Sequence, residues 1–317
     1  MTDHSEIARA IAAGRYVMIC GPTAAGKSAV ALAIAEQSGG TVINADSMQV
    51  YSDLRVVTAR PDAHYEARAP HRLYGILDGS ERASVASWLG LAAEAVNEVR
   101  KAGSLPIIVG GTGMYLQAAR DGIAPIPEVP LEIHQACLDE LAARGGVAFR
   151  EDLSRVDEET ASRLFDGDSQ RLVRAMGVVR ATGRPISAWQ SDPHQGALAG
   201  EVVAISVMPP RADTYARIDR RFAQMMEDGA VEEVEVLAER GLDPSLPVMK
   251  AIGVREILAM QAGEISRARA IELASRDSRH YAKRQMTWIR NNYHAQISVY
   301  EKLSTRFVKE IFSILLK

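Results

Sequence analysis

The sequence predicts an α/β protein: a parallel sheet flanked by helices, with an all-helical insertion. Three observations predict it. Short apolar runs alternate with stretches of helical periodicity through the first 125 residues, the pattern of parallel strands joined by crossover helices. The first run leads straight into "GPTAAGKS". Gly21, Pro22, Thr23, Ala24, Ala25, Gly26, Lys27 and Ser28 read G-x-x-x-x-G-K-S, a phosphate-binding loop in the context it requires, after a strand and opening a helix. From Ile126 to Leu198 only helical periodicity is found. The expected fold is therefore a P-loop NTPase-like parallel sheet built from residues 1–125 and 199–317, with residues 126–198 inserted as a helical domain.

"RYVMIC" is a short apolar run suited to a buried parallel strand. "KSAVALAIAEQS" is an Ala-rich helix stopped by Gly39 and Gly40. "TVINADS" is a second strand with a polar end. "SVASWLGLAAEAVNEVRKAG" is a helix stopped at Gly103, and "LPIIVGG" is a third strand ending in glycines. Ligands of such sheets bind at the carboxyl ends of the strands. That edge should carry Gly21–Ser28, Ala45–Gln49 and Gly110–Thr112.

Three prolines in "DGIAPIPEVP" mark the change to the insertion, whose helices are "LEIHQACLDELAARGG", "EETASRLF" and "SQRLVRAMGVVRATG". Strand character returns at "EVVAISVMPP". A long amphipathic stretch follows from Asp213 or Thr214, its expected cap. Ile218, Phe222 and Met225 share one face there, and Arg217, Arg220 and Arg221 lie off it. A further helix covers about Ala268 to Asn291, and "AQISVYE" offers a last strand.

With 317 residues, 47% hydrophobic and 24% charged, the composition is that of a globular protein with a sizeable core. A net charge of −3 excludes a generally basic nucleic-acid binder, so any such surface is a local patch. Two distant cysteines make neither a disulfide framework nor a zinc cluster, and the seven histidines show no ligand spacing. No signal-peptide core and no run of membrane-spanning length is present. The expectation is a cytoplasmic protein without a membrane partner.

The loop's backbone N–H groups and the helix amino end form an anion cradle. Lys27 is placed for phosphate oxygens and Ser28 for Mg²⁺ carried by the ligand. Hydrolysis of ATP, the default ligand, also wants a Walker-B aspartate after a neighbouring strand, yet "LPIIVGGTG" ends in glycine. Asp46 in "NADSMQVY" is the acid left at an early strand end: a general base beside phosphate, a metal-site residue, or a turn residue. Thr112 in "GGTGMY" offers a hydroxyl. Among Arg217, Arg220 and Arg221 the residues alone do not choose an anion partner. Basic residues cluster twice: Arg171 and Arg174 on one helix face, and Arg276, Arg279, Lys283 and Arg290 on another, with Arg284 and Trp288 beside them. Basic groups interleaved with an aromatic suit RNA; an exposed charged face with Trp288 in the core is the bland alternative.

These pieces resemble the tRNA dimethylallyltransferase (tRNA isopentenyltransferase) family in its bacterial form. The resemblance runs in order through "GPTAAGKS", "INADSMQVY", "APHRL", "IIVGGTGMYL", "DSQRLVRA", "RIDRRFAQM", "MKAIGVRE" and "AKRQMTWIR". It implies transfer of a dimethylallyl group from dimethylallyl diphosphate to N6 of adenosine 37, next to the tRNA anticodon. It implies a catalytic set of Asp46, Arg217 and Thr112, with Asp46 as general base, Arg217 and Thr23 at the diphosphate, and Mg²⁺ at Ser28, with no hydrolytic acid needed. It further implies tRNA contacts at Asp46, Ser47, Met48, Gln49 and Thr112, at Gln170, Arg171 and Arg174, at Lys250 and Arg255, and at Lys283, Arg284, Trp288 and Arg290. The insertion would grip the anticodon arm. Val254 departs from the family, which usually has an aromatic there. The two cysteines exclude the zinc finger of eukaryotic relatives from these residues, and His71 has no assigned role beyond loop structure. Two other classes fit fewer features: an ATP-dependent small-molecule kinase leaves "AKRQMTWIR" and the insertion unexplained, and a non-catalytic RNA-binding protein leaves the complete loop and Asp46 unexplained. A free-adenylate prenyltransferase would not need the insertion. Because one chain supplies every motif, a monomer is expected.

Overall fold

Six parallel strands stand in the order β3-β2-β4-β1-β5-β6. The computed structural model describes residues 12–300 and 311–314; the amino-terminal reading made on residues 1–11 lies outside them. The strands are β1 (Tyr16–Cys20), β2 (Thr41–Asn44), β3 (His71–Arg72), β4 (Pro106–Gly110), β5 (Val202–Val207) and β6 (Ile297–Val299). β1 is central, pairing Val17 with Ile107 of β4 and with Val203 of β5. All its residues are buried, which explains why "YVMIC" is an unbroken apolar run rather than an alternating one. β3 was not expected. Its two residues pair with Val42 and Ile43, too few to leave a periodic signal, so "APHRL" read as loop.

The core helices of this first unit are α1 (Lys27–Ser38), α2 (Ala63–Arg68), α3 (Val85–Lys101) and α4 (Gly113–Asp121). Ser84 and Ser87 close a capping box at the start of α3. Gly39 ends α1 with a φ of 65°. Gly110 is required by close approach: a Cβ there would meet the Ala45 carbonyl oxygen at 2.0 Å. A glycine at this strand end therefore lets β4 and the segment after β2 come together at the sheet's carboxyl edge.

The chain separates into two compact units, residues 1–120 with 198–317, and residues 121–197. The second unit thus begins five residues before the expected Ile126 and ends one before Leu198. It contains α5 (Leu131–Val156), α6 (Glu158–Arg163), α7 (Ser169–Thr182) and α8 (Ile186–Gln190). α5 is broken where a stop was expected, at Gly145 with φ 78° and ψ 163°. Phe149, Leu153, Leu172, Val173 and Val178 form a core of its own.

Back in the first unit, α9 (Arg211–Glu227) and α10 (Ala230–Glu239) are separated by Gly229 at φ 104°. α9 starts earlier than expected. Pro210 precedes its first residue, and Thr214 is buried inside it with its hydroxyl donating to the Pro210 carbonyl. A proline whose missing N–H costs nothing at a helix start outcompeted the Asp-Thr cap signal. α11 (Val254–Gln261) and the long α12 (Arg267–Asn292), capped by Ser266, complete the unit. No helix among the described residues is long and apolar enough to cross a membrane.

Candidate active site

The phosphate-binding loop joins β1 to α1 at the sheet's carboxyl edge. Ala24 at φ 59° and Gly26 at φ 98° bend it through two left-handed positions, the backbone pattern that turns successive N–H groups toward one side. No side chain caps α1, so its first N–H groups face the same concavity. Gly21 has no room for a side chain, because a Cβ would lie 2.5 Å from the Val207 carbonyl oxygen. Lys27 Nζ donates to the Pro22 carbonyl at 2.8 Å. Burial pulls the Lys27 ammonium down to about 8, against the pull of Asp46 and with help from the Arg221 guanidinium.

Two distant helices clamp Thr23. Its N–H donates to Gln285 Oε1 of α12 at 2.8 Å, and its hydroxyl accepts from Arg221 of α9 at 2.6 Å. Gln285 is buried, and its Nε2 donates to the Gly111 carbonyl at 2.9 Å. One amide thereby ties the phosphate loop to the turn after β4. Arg217 reaches the Ala25 carbonyl at 3.4 Å. The arginines that sequence alone left unresolved now separate: Arg217 and Arg221 line the loop's cavity, and Arg220 does not.

Asp46 follows β2. Its Oδ1 accepts the Met48 N–H at 2.9 Å, and its own N–H donates to Asn44 Oδ1 at 2.8 Å. It is thus a turn residue, as one reading had it, and also a cavity residue. Thr112 Oγ1 accepts the Ser47 N–H at 2.9 Å, which locks the turn after β4 to the turn after β2. Tyr281, whose phenol is pushed up by burial, lies beside Thr112 and Gln285. Gln49 turns its amide N–H groups to the carbonyls of Thr58 and Ala59 at 2.8 and 3.0 Å.

Two cavities meet here. The first, about 470 Å³, holds Lys27, Ser28, Gln49, Arg60, Arg217 and the loop. The second, about 310 Å³, is walled by Val57, Ile218, Phe222, Met225 and Ile252, with Lys250, Tyr281 and Arg284 on it. Thr23, Asp46, Thr58 and Arg221 line both. Ser47 and Met48 line only the second. The face that packs Ile218, Phe222 and Met225 inward is the apolar stripe legible in α9.

As a test of a metal, no group of three His, Cys, Asp or Glu side chains among the described residues is placed to hold an ion. The exposed Ser28 hydroxyl and Asp46 share the first cavity. That donor set fits an ion bound mostly by phosphate oxygens, not one caged by protein.

The remaining expected contacts scatter. Lys283, Arg284 and Trp288 line one open cleft on α12 with His280 and Asn291. Trp288 is half-buried, its ring close enough to Gly113 that a Cβ there would sit 2.4 Å from it. Arg290 lines a different cavity, with Pro209, Tyr293 and His294, so it is not brought to that cleft. Arg276 is paired with Asp277 and Arg279 with Asp219. Arg255 is exposed and pairs with Glu256 at 3.0 Å. Val254 is fully buried, so no base stacks on it. Gln170, Arg171 and Arg174 are exposed on α7 of the second unit, where Arg171 pairs with Asp168 at 2.9 Å. Sequence reasoning missed Gln285 and Tyr281. Both sit in or beside "AKRQMTWIR", where the basic residues drew attention, and only spacing relative to the buried Ala282 and Met286 marks an inward face.

A parallel sheet with a phosphate loop, a second apolar cavity and one carboxylate shared between them defines a protein that brings a phosphorylated ligand and another substrate to a common point. Residues 49–292 match the family model described as IPP transferase. The tRNA dimethylallyltransferase of Rhodopseudomonas palustris is 50% identical over 276 residues, 87% of this chain and 86% of that protein. That of Rhodospirillum rubrum is 48% identical over 291 residues, 92% and 89%. Among solved structures, the full-length tRNA isopentenylpyrophosphate transferase of Bacillus halodurans is 30% identical, with a TM-score of 0.67 and coverage of 95% of both chains. A eukaryotic dimethylallyltransferase acting on tRNA gives a TM-score of 0.75 at 26% identity, over 87% of this chain and 69% of that one. The chain belongs to the IPP transferase family.

Proposed function

We propose that this chain is a tRNA dimethylallyltransferase, an enzyme that moves the dimethylallyl group of dimethylallyl diphosphate to N6 of adenosine 37 beside the anticodon and releases diphosphate. The observation that carries this reading is the sharing of Asp46 between the phosphate-loop cavity and the apolar cavity. The donor's diphosphate occupies the first, and the flipped adenine enters the second. Extruding a base costs a few kcal/mol, least for one already unpaired, as in an anticodon loop.

In the transfer, the N6–C1 bond forms and the C1–O bond to diphosphate breaks. The proton lost from N6 passes to the Asp46 carboxylate, an assistance worth about 10²–10⁴-fold. Lys27, the loop N–H groups, Arg217 and Arg221 receive the negative charge of the leaving group. Mg²⁺, held by the diphosphate and the Ser28 hydroxyl, would supply further charge neutralisation. Thr112 fixes the segment after Asp46 through Ser47. Phe222 and Met225 offer the adenine an apolar wall, and Gln49, on the diphosphate side, holds the shared Thr58 through its committed N–H group. Lys250, Lys283, Arg284 and Trp288 lie on or beside the second cavity, which suits contact with the anticodon loop. Gln170, Arg171 and Arg174 on the helical unit contact the anticodon arm, and Arg255 and Arg290 of the first unit are further RNA contacts. The enzyme works as a monomer in the cytoplasm.

The test is to incubate the protein with Mg²⁺, unmodified tRNA and either dimethylallyl diphosphate or ATP, then digest the RNA and weigh its nucleosides. An isopentenyl mass on adenosine with the diphosphate donor alone is expected. Phosphate release from ATP with unchanged nucleosides would mean a kinase or hydrolase instead.

A further inference from the structure

Beside the phosphate-loop cavity lies an open cleft of about 730 Å³ lined by Arg55, Arg60, Arg217, Arg220 and Arg221, with Asp62 and Asp228 as its acids. Both acids make local bonds but keep their charge, so five arginines against two aspartates leave the lining with a net charge of +3. Asp62 caps α2 by accepting the Tyr65 N–H at 2.9 Å, and Asp228 accepts from Gln224 at 2.8 Å. Arg55 reaches Glu66 at 3.4 Å. The others hydrogen-bond only to neutral groups among the described residues: Arg60 to the Tyr51 carbonyl at 3.0 Å, Arg217 to the Ala25 carbonyl and Arg221 to the Thr23 hydroxyl; Glu66 and Glu233 act on Arg60, and Asp46 on Arg221, through space without an ion pair. Arg220 is exposed and makes no hydrogen bond or ion pair among them. Many arginines elsewhere are matched to carboxylates, as Arg267 is to Glu227 and Arg184 to Asp192, and those with neutral partners, such as Arg72, Arg82 and Arg211, do not line this cleft. Five guanidinium groups in one cleft repel one another unless an anion joins them, and a concave cationic wall raises the local anion concentration.

The position of the cleft says which anion. It shares Ala59, Arg60, Asp62, Arg217 and Arg221 with the phosphate-loop cavity, but only Arg221 and Met225 with the apolar cavity. An anion entering it is handed toward the phosphate loop and away from the base. We propose that this cleft is an anion port: the donor's diphosphate is captured there before it seats in the loop, the released diphosphate leaves the same way, and Arg220 is the outermost capture residue. The inference rests on the reading of a prenyl diphosphate as donor. Arg220 touches no reacting atom; it acts on capture, so its effect belongs in KM and in salt dependence, not in kcat.

The experiment compares wild type with Arg220→Gln and Arg220→Glu. Since Arg220 is exposed and unbonded, the variants fold, and thermal unfolding checks this. Binding of inorganic diphosphate by calorimetry, and kcat and KM for donor and for tRNA, are measured at about 25 mM and 500 mM salt. At low salt Arg220→Glu should weaken inorganic diphosphate binding and raise donor KM by about 5–20-fold, and Arg220→Gln by about 2–5-fold. At high salt, where screening reaches about 4 Å, both effects should shrink to within about twofold. The kcat and the KM for tRNA should stay within about twofold throughout. Unchanged donor KM at low salt overturns the port, and so does a defect in tRNA KM, which would make the cleft an RNA-backbone contact. If wild type transfers no prenyl group yet its diphosphate binding follows Arg220 and salt as described, the port stands and the prenyl-donor reading fails. If wild type transfers normally and Arg220 is silent, only the port fails.

Discussion

Replacing Lys27 with methionine should stabilise the protein while disabling it. The Lys27 ammonium is held down from 10.5 to about 8, chiefly by burial, which corresponds to about 3 kcal/mol carried by the charged form in the folded state. Methionine fills similar space without the charge but forfeits the bond to the Pro22 carbonyl, worth about 1 kcal/mol. The net gain is about 2 kcal/mol at pH 7. With an unfolding entropy of about 2.1 cal/mol/K per residue over the chain's length, that raises Tm by about 3 °C. The sign with pH follows from proton counts. Below pH 8 Lys27 is charged in both states and the full penalty applies. Between pH 8 and 10.5 the folded protein has released a proton that the unfolded chain still holds, so wild-type stability gains on the variant as pH rises. Scanning calorimetry of both proteins at pH 7 and pH 10 measures this. Lys27→Met should also lose about 10²–10³ in kcat/KM for the donor, since a cation at the leaving group is gone. A variant less stable than wild type at pH 7, or a stability difference that ignores pH, would refute the reasoning.

The other predictions concern residues that hold the site in place. Gln285→Leu strands the Thr23 N–H and the Gly111 carbonyl; it should cost about 2–4 kcal/mol in urea unfolding and raise donor KM, because buried groups left without partners carry their desolvation cost. Glu233 accepts the N–H groups of Arg55, Val56 and Val57, and thereby fixes the segment that supplies Val57, Thr58 and Arg60 to the cavities. Glu233→Ala should raise KM for donor and tRNA together, by about 3–10-fold, with kcat within about threefold, and Glu233→Gln should fall between; steady-state kinetics showing a loss in kcat alone would count against the clamp.

Much of this architecture is written locally. "YVMIC", "TVIN" and "PIIVG" are buried on both faces and so read as unbroken apolar runs. The phosphate loop is legible because its glycines and lysine must sit at fixed offsets. Asp46 is legible as the acid at an early strand end. What could not be read depends on pairs far apart in the chain. Thr23 and Gln285 are separated by 262 residues, and nothing in "AKRQMTWIR" distinguishes a glutamine that clamps a loop from one in solvent. The choice among three arginines of "RIDRR" is set by how α9 rolls against α12, a tertiary matter. Arg290 looked continuous with Lys283 by helical spacing, yet spacing takes no account of the segments 209–210 and 293–295 that wall off its end of the helix. The cap of α9 at Pro210, instead of at Asp213 or Thr214, shows a proline overriding two good capping residues within a few positions.

The central claim is that Asp46, at the meeting of the two cavities, removes the proton from the attacking amine. Single-turnover transfer by Asp46→Asn, with saturating donor and tRNA, tests it most directly when tRNA and donor affinities are measured on the same protein. The account predicts a rate lower by about 10²–10⁴-fold, with both affinities within about threefold of wild type. A rate near wild type, or a loss traced wholly to weakened binding, would contradict it.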